Sequence, residues 1–229
     1  MLEDGLVGDP LEKATLTAVD WSLTKGDAVI PKKGKMTGLK IFQRHHFSST
    51  LKRMCVVCGY TVPGTSETRY LVTVKGAPET VRGMLSSVPA DYDKTYLALS
   101  RRGARVLALG HRDLGTLNHH QLKELKRDEL ETSLSFAGFV IISCPLKPDS
   151  KSVIKELVGS SHHVMMITGD NPLTACHVAR QLRFCRTSTT LILTRLETDW
   201  AWQSVDLSLT VPLAGPDTLS RSETVPASP

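Results

Sequence analysis

Three polar residues, Ser48-Ser49-Thr50, are all that separate two long β-like runs at 39–47 and 51–60. A link this short can only turn the chain back, because a parallel crossover needs a dozen or more residues. The two runs therefore read as antiparallel neighbours. A third run, 69–75, ends in Gly76-Ala77-Pro78-Glu79, and a fourth covers 104–109. Helices are expected over 78–85, over 91–102 (capped by Asp91 and stopped by Gly103) and over 118–130. Upstream, Asp9-Pro10-Leu11-Glu12 carries a helix start: an aspartate cap, proline at the first helical position and glutamate three residues after the cap. Leu11, Ala14, Thr15 and Ala18 then recur on one face up to Trp21, whereas 1–8 hold no capped element. The Gly- and Lys-rich stretch 25–38 reads as loop. Together these elements describe an α+β domain with an antiparallel sheet.

The pattern changes near 136. Residues 136–142 form a continuous apolar run without alternation, as expected of a strand covered on both faces. Pro148-Asp149-Ser150 opens a helix with Val153, Ile154, Leu157 and Val158 on one side, ended by Gly159. Residues 164–167 make a second apolar run, so 136–168 is expected to form a βαβ unit with parallel strands. Thr168-Gly169-Asp170-Asn171-Pro172 follows, then a helix through Leu182. Ligands of open parallel sheets bind at the carboxyl ends of strands, where Thr168 would stand. Gly169 would let backbone amides approach a phosphate, and Asp170 could orient a nucleotide hydroxyl or a metal-bound water. Spacing alone allows an ordinary capped turn equally, with Asn171 as cap and Pro172 as first helical residue.

Composition narrows the function classes. The 229 residues carry a net charge of +5, spread without a run of five or six like charges, so a nucleic-acid surface is not indicated. Small anionic ligands suit the same balance. No stretch reaches the roughly 18 apolar residues of a membrane span, so no membrane contact by this segment is expected. The opening MLEDGLVGDP has acidic residues where a secretory signal is basic, so the five cysteines are expected to be reduced in a cytosolic setting. Cys55 and Cys58 lie three apart on a strand and point to opposite faces, which suits packed thiols better than a metal pair. The His-His pairs at 45–46, 119–120 and 162–163 lack ligand spacing.

Three segments in order then resemble one family. MITGDNPLTA looks like the phosphorylation-domain motif of P-type ATPases, KGAPE at 75–79 resembles their nucleotide-domain lysine motif, and GDPLE at 8–12 matches their GDPxE pattern. CPLKPDS at 144–150 is similar to the type V pumps, above all their subgroup A, which resides in the endoplasmic reticulum and acts on misplaced transmembrane helices. The resemblance covers about 1–183 and continues more loosely through 191–193 and 211–214.

The resemblance implies roles for individual residues. Phe47 would stack on adenine, although it could instead pack at a strand end. Glu12 would approach the adenine amino group while also serving the helix start, and Lys75, followed by Gly76, would lie beside the adenine and reach phosphate oxygens unless it is plain surface charge. Lys52 and Arg105 would stand near the triphosphate, with Thr168, Gly169 and Asp170 completing the nucleotide set. The expected ligand is ATP, with Mg2+ in the full-length parent. Actuator and membrane domains would be its partners, and this segment would lie on the cytosolic side of the endoplasmic reticulum membrane. Neither a GxxxxGK[ST] nor a GxGxxG loop occurs, so scattered strand residues must bind the phosphates.

Departures from the family limit the chemistry. The DKTGT nucleophile strand, the lysine that stabilises the transferring phosphoryl group and the GDGxND magnesium loop are all missing from these 229 residues. Phosphoryl transfer depends on such groups, so the chain alone is expected to be inactive, with no catalytic residue and no metal ligand of its own. Ser49 replaces a basic residue that many members place two positions after the stacking phenylalanine, and Cys144 replaces an aspartate. The expected organisation is a nucleotide-binding domain over 1–135, an incomplete α/β, Rossmann-like (haloacid-dehalogenase-type) phosphorylation domain over 136–214, and a disordered Pro/Ser/Thr-rich tail over 215–229. Lacking its nucleophile strand, the second domain should be partly exposed. The competing readings are a phosphatase-like hydrolase remnant and a non-enzymatic basic interaction module.

Overall fold

The computed structural model describes residues 9–213 apart from Lys25, Lys35, Arg186, Ser188, Glu197 and Thr198. They form two compact units, 9–99 with 104–144 and 100–103 with 145–213. The expectations for 1–8, including Gly8 of GDPLE, for Ala214 and for the tail 215–229 lie outside the described residues.

The first unit starts with helix α1 (Pro10–Ala18). Asp9 caps it as the sequence predicts, Oδ1 accepting from the Leu11 N–H at 2.8 Å and the Glu12 N–H at 3.4 Å. The expected capping box is not closed, because the Glu12 carboxylate reaches Lys75 instead of the Asp9 N–H. One sheet then holds β1 (Trp21–Leu23), β2 (Ala28–Pro31), β3 (Leu39–Ser48), β4 (Arg53–Thr61), β5 (Thr68–Gly76), β6 (Arg105–Gly115) and β7 (Ser135–Ile142). The strands pair in sequence order, and every pairing is antiparallel. Strands β1 and β2 lie where the sequence predicts a helix end and a loop. At three and four residues they are too short to show periodicity, and pairing alone makes them strands.

Helices α2 (Pro78–Arg82), α3 (Tyr92–Arg101), α4 (His119–Glu124) and α5 (Arg127–Leu130) belong to the long connections of this meander. The single helix expected over 118–130 is broken at Leu125, whose extended backbone (φ −57°, ψ 119°) lets its side chain join the core. That core lies on one sheet face, where Cys55, Val57, Val72, Val74 and Ala108 meet Val81, Tyr92, Leu122, Leu130 and Leu134. Alternation makes these strand residues one face.

Strand β7 overturns one expectation. The run 136–142 is the edge of this antiparallel sheet and pairs with β6, so it does not open a parallel βαβ unit. Its lack of alternation has a local cause. The register shifts at Leu109/Gly110, leaving Ala137 as an extra residue beside Gly138, which adopts φ +144°. That bulge lets Phe136 and Phe139, three apart, both reach the Tyr92 ring, at centroid distances of 5.0 and 4.9 Å. The first unit accordingly runs through Cys144, nine residues past the expected boundary at 135.

The second unit contains α6 (Ser150–Gly159), α7 (Pro172–Gln181) and a three-stranded antiparallel sheet of β8 (Leu191–Leu196), β9 (Asp199–Ser204) and β10 (Thr210–Pro212), ordered β10-β9-β8. The apolar run 164–167 is not a strand, and Met165 and Ile167 are 82% and 90% exposed. No parallel sheet forms among the described residues, so the expected Rossmann-like arrangement over 136–214 is absent from them. An apolar run becomes a parallel strand only with a neighbour to receive its hydrogen bonds, and 136–142 is committed to the other sheet. The apolar side of α6 is likewise exposed at Val153, Leu157 and Val158. A cleft of about 660 Å³ lies beside it, lined by Lys151, Ile154, Lys155, Val158, Leu182 and Arg183 among others. Among the described residues no helix is long and apolar enough to cross a membrane.

Burial pushes the Cys55 thiol from its usual 9.0 up to about 12, with the Glu131 carboxylate adding to the effect, and pushes Cys58 up to about 11. A thiol reagent at pH 8 should therefore modify exposed Cys144 first and leave Cys55 and Cys58 untouched until denaturant is added. The same shifts set a pH limit. Unfolded thiols ionise near 9 while the folded ones resist, so the melting temperature should hold below pH 9 and fall as pH rises toward 11. Hydrogen exchange should be slow in β4, β5 and β6 and faster throughout 145–213.

Candidate functional site

Register decides which side chains share the sheet face opposite the core. Met54 of β4 stands across from Lys75 of β5, and Lys75 stands across from Leu109 of β6. Arg105 and Leu107 alternate in step with Leu109, so Met54, Lys75, Leu107, Leu109 and Arg105 belong to one face. On β3 the register shifts between His45 and Ser48, placing His46 and Phe47 together opposite Met54. Phe47 is 61% exposed, so its ring does not serve the core.

Helix α1 contributes to the same face. Glu12 Oε1 lies 2.6 Å from Lys75 Nζ, with both side chains part-exposed. Ion pairs this open to water contribute only about 0–1 kcal/mol, so a ligand could displace the glutamate from the lysine.

The turn from β3 to β4 is built closely against the end of β5. Lys52 has φ +52°, the left-handed region a non-glycine residue rarely occupies, and its N–H donates to Ser48 O at 2.7 Å. The Lys52 carbonyl accepts from the Ala77 N–H at 3.0 Å. Gly76 makes that approach possible, since a Cβ there would meet Lys52 O at 2.7 Å and Arg53 Cβ at 2.9 Å. The Lys52 side chain points to solvent, with Nζ 3.6 Å from Glu79 Oε1.

Six of the nine residues predicted as a nucleotide site, Glu12, Phe47, Lys52, Lys75, Gly76 and Arg105, thus cluster on one face and one turn of the first unit. Thr168, Gly169 and Asp170 lie in the second unit. There the exposed Thr168 Oγ1 accepts from the Asp170 N–H at 3.1 Å, and Asn171 Oδ1 caps α7 by accepting from the Leu173 N–H at 2.9 Å. The capped turn that spacing allowed is the structure formed, without a strand before it.

Two features of the site escape a sequence reading. Met54 adds an apolar floor between Phe47 and Lys75, but only strand register shows that it faces the lysine. The other lies beneath the turn. Glu131 is 3% exposed and accepts from Arg53 Nε at 2.6 Å and from Arg127 Nε at 2.7 Å. Arg127 Nη2 also donates to the Arg53 carbonyl at 3.1 Å. Glu131 lies 78 residues from Arg53, and no local pattern marks the pairing.

The sequence is also similar to known proteins. The family model for P-type ATPase, cytoplasmic domain N, matches residues 3–149, ending close to the boundary of the first unit at Cys144. A probable manganese-transporting ATPase of Arabidopsis thaliana is 41% identical over 225 residues, covering 97% of this chain and 18% of that protein. The endoplasmic reticulum transmembrane helix translocase of Saccharomyces cerevisiae is 45% identical over 183 residues, covering 79% of this chain and 14% of the relative. A protein of the same name from Schizosaccharomyces pombe is 40% identical over 214 residues, covering 91% and 18%. The chain thus spans between 14% and 18% of the length of these curated relatives. With an antiparallel sheet and flanking helices across the matched segment, the chain belongs to the P-type ATPases, and residues 3–149 are their cytoplasmic domain N.

Proposed function

We propose that this chain binds ATP on the open face of its antiparallel sheet, as the nucleotide-binding part of a longer P-type pump. Adenine stacks on the Phe47 ring above Met54. The Lys75 ammonium leaves Glu12 and turns to the nucleotide, while the freed Glu12 carboxylate accepts from the adenine amino group. Lys52 and Arg105 meet the phosphates, and Gly76 keeps the strand end close to the turn that carries Lys52. The observation that supports this most is a large exposed aromatic ring on the same sheet face as Lys75 and Arg105, contributed by three different strands. Stacking at about 1–3 kcal/mol exceeds the exposed ion pair it would disturb.

In the parent protein this domain delivers ATP to an aspartate outside the present sequence. Mg2+ supplies charge neutralisation on the phosphates there, held by residues this chain does not contain. Residues 145–213 form part of the phosphorylation domain, and Thr168, Gly169 and Asp170 contribute to its phosphoryl pocket once the rest of its sheet is present. Support for that assignment comes from TGDN and from a relative matching 97% of the chain. The parent couples ATP hydrolysis to transport or extraction of transmembrane segments, or of cations, at the endoplasmic reticulum membrane. Its actuator and membrane domains are the partners, and this segment lies on the cytosolic side. The names of the relatives support this reading. Alone, the chain binds ATP without turning it over.

Calorimetric titration with ATP tests the reading. Phe47→Ala should weaken binding by about 5- to 150-fold, the equivalent of one lost stacking contact. Lys75→Ala should weaken it by a smaller factor, since an exposed charge contributes less. Unchanged affinity in both variants would remove ATP from this face.

A further inference from the structure

Among the ion pairs of the described residues in the first unit, those made by a buried carboxylate lie away from the open sheet face, under the turn that presents Lys52. Glu131 has both carboxylate oxygens engaged, Oε2 by Arg53 and Oε1 by Arg127, and almost no contact with water. Two guanidinium groups, each about a fifth exposed, share this single counter-charge. Carboxylates are rarely buried so deeply without a structural demand, because desolvation must be offset by paired hydrogen bonds.

The demand is visible in the backbone. Arg53 is the residue after Lys52 and pairs in register with Gly76. Its carbonyl accepts from Arg127 Nη2, so α5 holds the main chain of the turn as well as its side chain. Lys52 sits at φ +52°, a conformation that persists only where surrounding contacts over-determine it. Those contacts are the bonds from Lys52 N to Ser48 O and from Ala77 N to Lys52 O on one side, and the grip on Arg53 on the other. Loss of the Glu131 charge would leave Arg53 and Arg127 repelling each other under the turn.

We propose that Glu131 is a positioning residue for the phosphate end of the nucleotide: with Arg53 and Arg127 it holds the turn against Gly76 and so fixes where the Lys52 ammonium stands. Glu131 touches no ligand itself. The inference rests on the ATP reading above, and it predicts an effect confined to phosphate recognition, because Phe47, Met54 and Lys75 lie on the opposite sheet face from the buried triad.

The test compares ATP with adenosine, which lacks phosphates, by calorimetry on the whole chain. Glu131→Gln should weaken ATP binding by about three- to tenfold while leaving adenosine affinity unchanged. In a Lys52→Ala background the same substitution should cause no further loss for ATP. Should Glu131→Gln melt below the titration temperature, Arg127→Lys, which keeps the charge but loses the second bond to Arg53 O, is expected to give the same selective loss at smaller size. An unchanged ratio of ATP to adenosine affinity in these variants, or additive losses with Lys52→Ala, would overturn the positioning role while leaving ATP binding intact. A wild-type chain that binds neither ligand would overturn the ATP reading and the inference together.

Discussion

Burial of one sheet face under Tyr92, Leu130 and Leu134 governs the rest of the first unit. Cys55, Val57, Val72, Val74 and Ala108 must point into that core, and a slip of one residue in any of their strands would expose the core residues of that strand. Once they are inward, Met54, Lys75 and Arg105 have no freedom over which way they face. The open side is thus a consequence of the packed side. This economy explains how the proposed ligand face draws on single residues from separate strands without a phosphate loop. The core pins strand order and register, and each strand then contributes a single side chain at a defined height.

Two local devices refine that arrangement. The bulge in β7 with Gly138 brings Phe136 and Phe139 to the same aromatic ring, closing the core at the sheet edge. The bulge at the end of β3 places an extra residue beside Met54 and leaves Phe47 with its ring in solvent. One bulge serves stability and the other exposure, although both are the same backbone event. Gly76 acts between them, since only a hydrogen in place of Cβ lets the Lys52 carbonyl come so close to β5.

The second unit illustrates what happens to sheet-forming sequence without a sheet to join. Residues 164–167 are as apolar as many buried strands, yet Met165 and Ile167 are almost fully exposed. Helix α6 keeps a regular amphipathic pattern and leaves its apolar side open. Local hydrogen bonding sustains a helix by itself, whereas a strand depends on its neighbours. Antiparallel hairpins such as β8–β9–β10 carry their neighbours with them, and these do form.

The amino-acid sequence by itself determined the elements with local signals. The cap at Asp9, the stop at Gly103, the short link at 48–50 and the Asn171-Pro172 helix start are all decided within a few residues. It also identified, through three motifs, the family, and it supplied the cations and aromatic ring of the proposed nucleotide site. Tertiary structure alone decided the rest: that 136–142 joins the antiparallel sheet as its edge, that Met54 stands between Phe47 and Lys75, and that Glu131 reaches Arg53 across 78 residues. The division has a single physical reason. Caps and turns are satisfied by hydrogen bonds to near neighbours, whereas strand partners and buried charge pairs are chosen by residues far away along the chain.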